Sequence, residues 1–184
     1  MTRIRRLAED LILIDTHYIG TPGAIGVYLL LGQRPALIET GPATTVEHVV
    51  EGIREAGLDP TDLQAVAVTH IHLDHAGAAG TLAQRFPHLQ LYVHPVGAPH
   101  LVDPSRLMAS AARLYGNELP RLFGEVIPVP ADRVHVLQDG EMVLLGSRRL
   151  VALDTPGHAR HHYAYLDEAS GRSEERRVGK ECRL

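Results

Sequence analysis

The sequence of 184 residues contains a single cysteine, and this shortage excludes several kinds of site. Cys182 alone cannot form an internal disulfide or a cysteine-rich zinc knuckle. The chain also has no G-x-S-x-G elbow and no G-x-x-x-x-G-K-[ST] phosphate loop. A serine hydrolase and a P-loop nucleotidase therefore have no motif to support them.

Excess basic charge and long apolar runs are lacking as well. The formal net charge of -4 gives no reason to expect a non-specific nucleic-acid surface. No apolar run is long enough to cross a bilayer, and Glu9 and Asp10 interrupt the basic start that a signal peptide would need. We therefore expect a cytoplasmic protein with neither nucleic acid nor membrane as a partner. The oligomeric state stays open.

The order of predicted elements indicates an α/β protein with one sizeable domain. Branched apolar runs bounded by glycine or proline predict strands, and apolar residues at helical spacing predict helices. The predicted strands cover 11–18, 24–31, 36–40, 63–70, 89–95, a pair within 140–158, and 161–171. The predicted helices cover 44–57, 76–86 and 104–124, the last one broken near Gly116 or Pro120. This order predicts two packed sheets with helices on their outer faces.

Four side chains that can bind a metal fall within the six residues of HIHLDH: His70, His72, Asp74 and His75. The preceding Val-Ala-Val-Thr run predicts a strand, on which His70 and His72 would point to the same side and could bind one cation. If the segment were helical, His70 and Asp74 would share a face instead. Strand ends commonly present site residues on short loops, so the cluster is a candidate metal site.

Two imidazoles do not complete such a site, because a catalytic zinc usually has three protein ligands and one open position. His158 follows the Pro156-Gly157 turn and is the strongest candidate for the third ligand, although a lone histidine after a turn is often plain surface. The other histidines have weaker claims. His94 could bind substrate, one of the adjacent His161 and His162 should face solvent, and the rest are expected at the surface or in a satisfied core: His17, His48, His88, His100 and His135.

The segments THIHLDHAG and, further along the chain, TPGHA together resemble the metallo-β-lactamase-fold superfamily, which includes hydroxyacylglutathione hydrolases (glyoxalase II) and lactonases. The resemblance implies a four-layer αββα sandwich, incomplete here at its C-terminus. It also implies that His70, His72 and His158 bind a first metal and that Asp74 and His75 contribute to a second. The family's bridging aspartate and its last histidine have no match after His158.

The same resemblance implies a metal-dependent hydrolase, in which a metal-bound hydroxide attacks a small thioester, ester or lactone. Asp74 would be catalytic, orienting the water and passing its proton to the leaving group. Glu39 in ALIETG stands where the family has aspartate and would orient a ligand by hydrogen bonding. We expect Zn²⁺, two ions in a complete protein, with Fe or Mn as alternatives. Two other functions remain open: a mononuclear non-haem iron persulfide dioxygenase of this fold, and a non-catalytic metal-binding domain.

The end of the chain is unlike everything before it. RSEERRVGKECR, residues 172–183, has neither strand alternation nor an apolar stripe, and it resembles the translation of a sequencing-library adapter. We expect residues 1–171 to form the metallo-β-lactamase-like domain and residues 172–184 to be a non-native or disordered tail. The natural gene should then continue past Gly171 with a Gly-Asp strand and a later histidine. Whether the truncated chain is active stays open.

Overall fold

A computed structural model describes residues 3–168 and 170–173 of the chain. Seven strands form the first sheet, in which every strand lies beside its predecessor in the sequence. The first three pairs of neighbouring strands are antiparallel, and the last three pairs are parallel. They are β1 (Ile4–Ala8), β2 (Leu11–Asp15), β3 (Gly26–Leu30), β4 (Ala36–Ile38), β5 (Ala65–Ala67), β6 (Gln90–Val93) and β7 (Val134–Val136).

The second sheet is antiparallel throughout. Its strands are β8 (Met142–Leu145), β9 (Arg148–Asp154), β10 (Tyr163–Asp167) and β11 (Arg172–Ser173). The predicted pair of strands around Gly146-Ser147 is confirmed, because β8 ends just before Gly146 and β9 begins just after Ser147. Arg172–Ser173 pairs with β10 at the point where the tail was predicted to begin. Residues 174–184 lie outside the described residues, so the predicted tail stays a prediction.

Within the described residues, six α-helices accompany the strands: α1 (Val46–Glu55), α2 (Leu73–Ala76), α3 (Ala79–Arg85), α4 (Ala98–Val102), α5 (Ser105–Tyr115) and α6 (Leu119–Phe123). The predicted break in the third helical segment is confirmed at Gly116, where φ is 52° and a glycine is favoured. Pro120 does not break the helix, because it lies in the first turn of α6, where no backbone donor is needed. None of the described helices is long and apolar enough to cross a membrane.

The described residues form two large parts of the core, one on each face of the first sheet, and a smaller third cluster of Leu73, Ala111, Leu119 and Phe123. On one face, Val49 and Ile53 of α1 and Leu82 of α3 pack with sheet residues such as Ile12 and Leu91. On the other face, the two sheets pack together through these buried side chains: Leu30, Ala36, Ile38, Ala65, Ala67, Val143, Leu145, Leu150, Ala152, Tyr163 and Tyr165. Three layers are thus described: helices, first sheet and second sheet. On the second sheet Met142, Leu144 and Leu153 are exposed, and no helix among the described residues belongs to the core on that side.

Candidate metal centre

The carboxyl ends of the parallel strands bring the candidate residues to one edge of the first sheet. Glu39 follows β4, Thr69 and His70 follow β5, and His94 follows β6. The second sheet is tied to this edge by a backbone hydrogen bond in which Tyr163 N donates to Thr69 O at 2.8 Å. That bond brings the ends of β9 and β10, and with them His158, beside the β5–α2 connection.

The structure brings His70, His72 and His158 together. The ring centroids lie 4.6 Å apart for His70 and His72, 4.9 Å for His70 and His158, and 4.8 Å for His72 and His158. One ring nitrogen from each histidine lies within 4.8 Å of those of the other two. The three side chains therefore form a group that could hold a single cation.

The prediction that His70 and His72 converge because both lie on a strand is wrong, although the two rings do meet. β5 ends at Ala67, so neither histidine lies on a strand. His72 has extended backbone angles, φ −61° and ψ 150°, and caps the N-terminus of α2. The pair is thus positioned by the connection between β5 and α2.

Asp74 and His75 lie in α2 and do not join the three-histidine group. His75 Nδ1 lies 3.3 Å from Glu39 Oε1, and His75 Nε2 lies 3.4 Å from Asp74 Oδ2. Glu39, His70 and His75 form a second set whose ligand atoms lie within 4.8 Å of one another. Asp74 belongs to neither set, and its side chain is 44% exposed. His75 thus lies between Glu39 and Asp74, with one ring nitrogen near each carboxylate.

A chain of hydrogen bonds runs from Glu39 through Thr69 to His70. Glu39 is 2% exposed, and its Oε1 accepts from the backbone N–H of Thr69 at 3.2 Å and also from the Thr69 hydroxyl. Because that hydroxyl has only one proton, it must accept at its 2.9 Å contact with His70 Nδ1. The neutral imidazole then carries its hydrogen on Nδ1 and a lone pair on Nε2. The predicted orienting role of Glu39 is compatible with this geometry.

The lone pair on His70 Nε2 points into the buried site. This atom is inaccessible to water and has no hydrogen-bond partner among the described residues, and the same is true of Glu39 Oε2. Buried polar atoms in folded proteins nearly always have a partner, so each exception needs an explanation. A cation held by the three imidazoles would supply the missing partner of Nε2.

Burial lowers the pKa of His70 and His72, two of the three histidines of the group. The pKa of His70 is far below its usual value because of desolvation first and the neighbouring imidazoles of His75 and His72 second. The pKa of His72 is lowered by the same burial and then by His158. Burial also lowers the pKa of His161 to about 4. Neutral imidazoles are the form that binds metals, so His70 and His72 do not have to lose a proton at pH 7.

The remaining histidines near the edge are engaged in other contacts. His94 Nδ1 accepts from the backbone N–H of Val96 at 3.0 Å, and its Nε2 lies 3.6 Å from Asp154 Oδ1. His162 is buried, with Nδ1 2.8 Å from Thr155 Oγ1. His161 is half-buried and its Nδ1 is inaccessible to water. Of these two adjacent histidines, His161 is therefore the more exposed, although it is not fully open to solvent.

Comparison with known proteins gives the chain its relatives. A family model described as the metallo-beta-lactamase superfamily matches residues 20–171. A hydroxyacylglutathione hydrolase of Synechococcus sp. (strain JA-2-3B'a(2-13)) is 30% identical over 145 residues, which cover 79% of this chain and 45% of that protein. The N-acyl homoserine lactonase AttM of Agrobacterium fabrum is 28% identical over 117 residues, 64% of this chain and 40% of that protein. The chain thus spans about half the length of the curated relatives it matches.

Solved structures share the fold. A metallo-beta-lactamase from Cronobacter sakazakii with a mutated HARLDQ motif superposes with a TM-score of 0.70 at 21% identity, covering 94% of this chain and 62% of that one. At this identity the likeness concerns the fold alone. It confirms the predicted α/β sandwich for the greater part of the chain.

Proposed function

The chain belongs to the metallo-β-lactamase superfamily, and on that premise we propose that it acts as a metal-dependent hydrolase of a small thioester, ester or lactone. The observation that carries the proposal is the three-histidine group with the buried, unpaired lone pair of His70 Nε2. The similar proteins include one named for hydrolysis of hydroxyacylglutathione and one named a lactonase. Their names support the substrate class without deciding among its members.

The residues present fit a zinc ion. Three imidazoles with one position left open are a common donor set of catalytic zinc, and His70, His72 and His158 would hold the ion. Mn or Fe would also be accepted by imidazole ligands, so zinc is the proposed rather than the necessary metal. A second ion beside Asp74 and His75 stays a prediction, as do the small-molecule nature of the substrate and the cytoplasmic location.

A divalent metal bound here would supply activated water at neutral pH and polarise the carbonyl oxygen of the substrate. A side chain of the protein would transfer the proton that the attacking water loses. In hydrolysis of a thioester, the acyl–sulfur bond breaks, the acyl carbon gains the oxygen of water, and one proton of that water must reach the sulfur. The Asp74 carboxylate is accessible to solvent, and its Oδ2 is 3.4 Å from His75 Nε2. We propose that Asp74 accepts this proton and passes it to the leaving group.

One observation favours a second candidate. The set formed by Glu39, His70 and His75 offers two imidazoles and one carboxylate, a combination that non-haem iron accepts. If this set rather than the three histidines holds the metal, an iron-dependent oxygenase of the same fold becomes the better proposal. The metal that the purified chain retains distinguishes the two: zinc favours hydrolysis, and one firmly held iron favours the oxygenase.

The test is a panel of thioesters, esters and lactones assayed with the zinc-loaded chain. We expect turnover that a chelator abolishes and added zinc restores. Asp74→Asn should keep the metal but lose most of the turnover, because an amide cannot accept the proton. His135→Ala, which removes an exposed histidine on β7, is the matched control and should keep both. Metal binding without turnover of any member would favour a non-catalytic metal-binding domain, and wild-type rates in Asp74→Asn would remove Asp74 from the mechanism.

A further inference from the structure

Two tyrosines of β10 lie between the two sheets and join them. Tyr163 and Tyr165 are two residues apart on a strand, so their side chains point to the same face of the second sheet. They are 1% and 3% exposed, and both belong to the cluster that fills the space between the sheets. Each hydroxyl donates to a backbone carbonyl that directly follows a strand of the first sheet, Tyr165 to Val68 O at 3.2 Å and Tyr163 to Leu137 O at 2.7 Å. We call Tyr163 and Tyr165 the tyrosine pair.

The tyrosine pair is also bonded to the segment that leads into the candidate metal centre. Val68 and Thr69 are the two residues between the end of β5 and His70. Val68 O accepts from the Tyr165 hydroxyl, and Thr69 O accepts from the backbone N–H of Tyr163 at 2.8 Å. β10 therefore holds two consecutive carbonyl groups directly before the first histidine of the site.

The same strand determines where His158 lies. The N–H of Thr155, after β9, donates to the carbonyl of His162, before β10, at 3.0 Å, which extends the pairing of these two strands. His158 lies in the short connection that remains, and its Nε2 is 3.0 Å from Nδ1 of His72. The distance from His158 to the histidines of the β5–α2 connection thus depends on how β10 packs on the first sheet.

Hydrogen bonds define this packing more narrowly than the apolar contacts around them. Most other side chains of the cluster are aliphatic, and the attraction between apolar groups has no preferred direction. A hydrogen bond weakens steeply when its distance or angle changes, and satisfied buried hydrogen bonds make one arrangement of a core specific. A metal site must be held within about 0.5 Å of its working geometry. Residues that fix one sheet on the other should therefore affect metal binding.

We propose that the tyrosine pair positions the metal centre, because its hydrogen bonds hold the second sheet where His158 reaches the ion that His70 and His72 bind. The inference rests on the proposed function, since it takes the three histidines as ligands of one ion. The pair would act through His158 and would not itself touch the ion. Tyr163 and Tyr165 are thus positioning residues.

The first experiment measures the zinc affinity of the chelator-treated chain by calorimetry, with folding of every variant checked by circular dichroism. Tyr165→Phe and Tyr163→Phe each remove one oxygen atom and keep the ring, and we expect each to weaken zinc binding roughly tenfold. The control, Tyr92→Phe, removes the hydroxyl of a partly buried β6 tyrosine that packs against the same cluster, and it should bind zinc as wild type does. Wild-type affinity in either folded β10 variant, or an equal loss in Tyr92→Phe, overturns the proposal.

A second measurement tests whether the effect passes through His158. Tyr165→Phe is combined with His158→Ala, and the residual zinc affinity of the remaining two histidines is measured. We expect Tyr165→Phe to change this residual affinity by less than about twofold, because the ligand that it positions is gone. A general loosening of the core would instead weaken binding in both backgrounds. A further tenfold loss in His158→Ala therefore overturns the proposal.

These measurements need no turnover, so their outcome is separate from that of the proposed hydrolase. If zinc affinity falls as expected but no thioester, ester or lactone is hydrolysed, the hydrolase fails and the positioning role stands. If hydrolysis depends on zinc while Tyr165→Phe binds zinc as wild type does, the positioning role fails and the hydrolase stands.

Discussion

The buried, neutral state of His70 predicts that the metal-free protein is unstable in mild acid. His70 is 1% exposed, and burial together with neighbouring imidazoles lowers its pKa far below that of an unfolded histidine. Between those two pKa values the unfolded chain binds a proton at this residue and the folded chain does not. Stability is therefore fully present above about pH 6.5 and falls as the pH decreases.

The size of the effect follows from proton linkage. One histidine that titrates only in the unfolded state contributes a slope of about 1.4 kcal/mol per pH unit well below pH 6.5. Integrated from pH 7.5 to pH 5.0, His70 alone should cost about 2 kcal/mol of the free energy of unfolding. His72 and His161, whose pKa values are also lowered, add to the loss in the same direction.

The assay is urea unfolding of the chelator-treated chain, followed by circular dichroism at several pH values between 5.0 and 7.5. His70→Asn has no titrating group, yet its amide N–H can still donate to the Thr69 hydroxyl. We expect this variant to lose about 2 kcal/mol less than wild type across the range. The control, His135→Asn, removes an exposed histidine outside the site and should follow wild type. Equal losses in wild type and His70→Asn would refute the account of a buried neutral ligand.

Two further substitutions test the packing around the site. Thr69→Val removes the hydroxyl that accepts from His70 Nδ1. It should lower the free energy of unfolding by about 1–3 kcal/mol and weaken zinc binding roughly tenfold or more. Thr69→Ser keeps a hydroxyl and should retain the stability and the zinc affinity of wild type. Gly80→Ala would place a Cβ 1.8 Å from the carbonyl oxygen of Ile127 and should destabilise the folded protein by about 1–3 kcal/mol in thermal unfolding. Gly157→Ala has open space around the new Cβ, so its stability should be close to that of wild type. Equal stability of the two alanine variants would contradict the packing described for α3.

Local sequence patterns predicted the helices and strands that form because of the spacing of their own apolar residues. The α1 segment is buried at Val46, Val49, Val50 and Ile53, as helical spacing indicated. In contrast, α4 was not predicted from the sequence. Pro99 lies in the first turn of α4, where a proline is tolerated. A turn of helix stabilised mainly by packing of Ala98 and Leu101 on the core gives little signal in the sequence.

Some residues of the candidate site could likewise be predicted from the sequence, and some contacts could not. His70, His72, Asp74 and His75 could be singled out because they are close together in the sequence. The contact between His75 and Glu39 could not, because it exists only through the parallel pairing of β4 with β5, which the sequence does not specify. The end of β5 at Ala67 was likewise not predicted, and His70 and His72 therefore lie after the strand on which they were expected.

The central claim is that His70, His72 and His158 together hold one metal ion. The most direct measurement is the zinc content of the purified, zinc-loaded chain after removal of loosely bound ions. Atomic emission gives this content, and the zinc-binding affinity is measured alongside it. We predict one firmly bound zinc per chain in wild type and in His135→Ala, and loss of most of it in His70→Ala and in His158→Ala, with the fold retained by circular dichroism. An unchanged zinc content in either His70→Ala or His158→Ala would contradict the account.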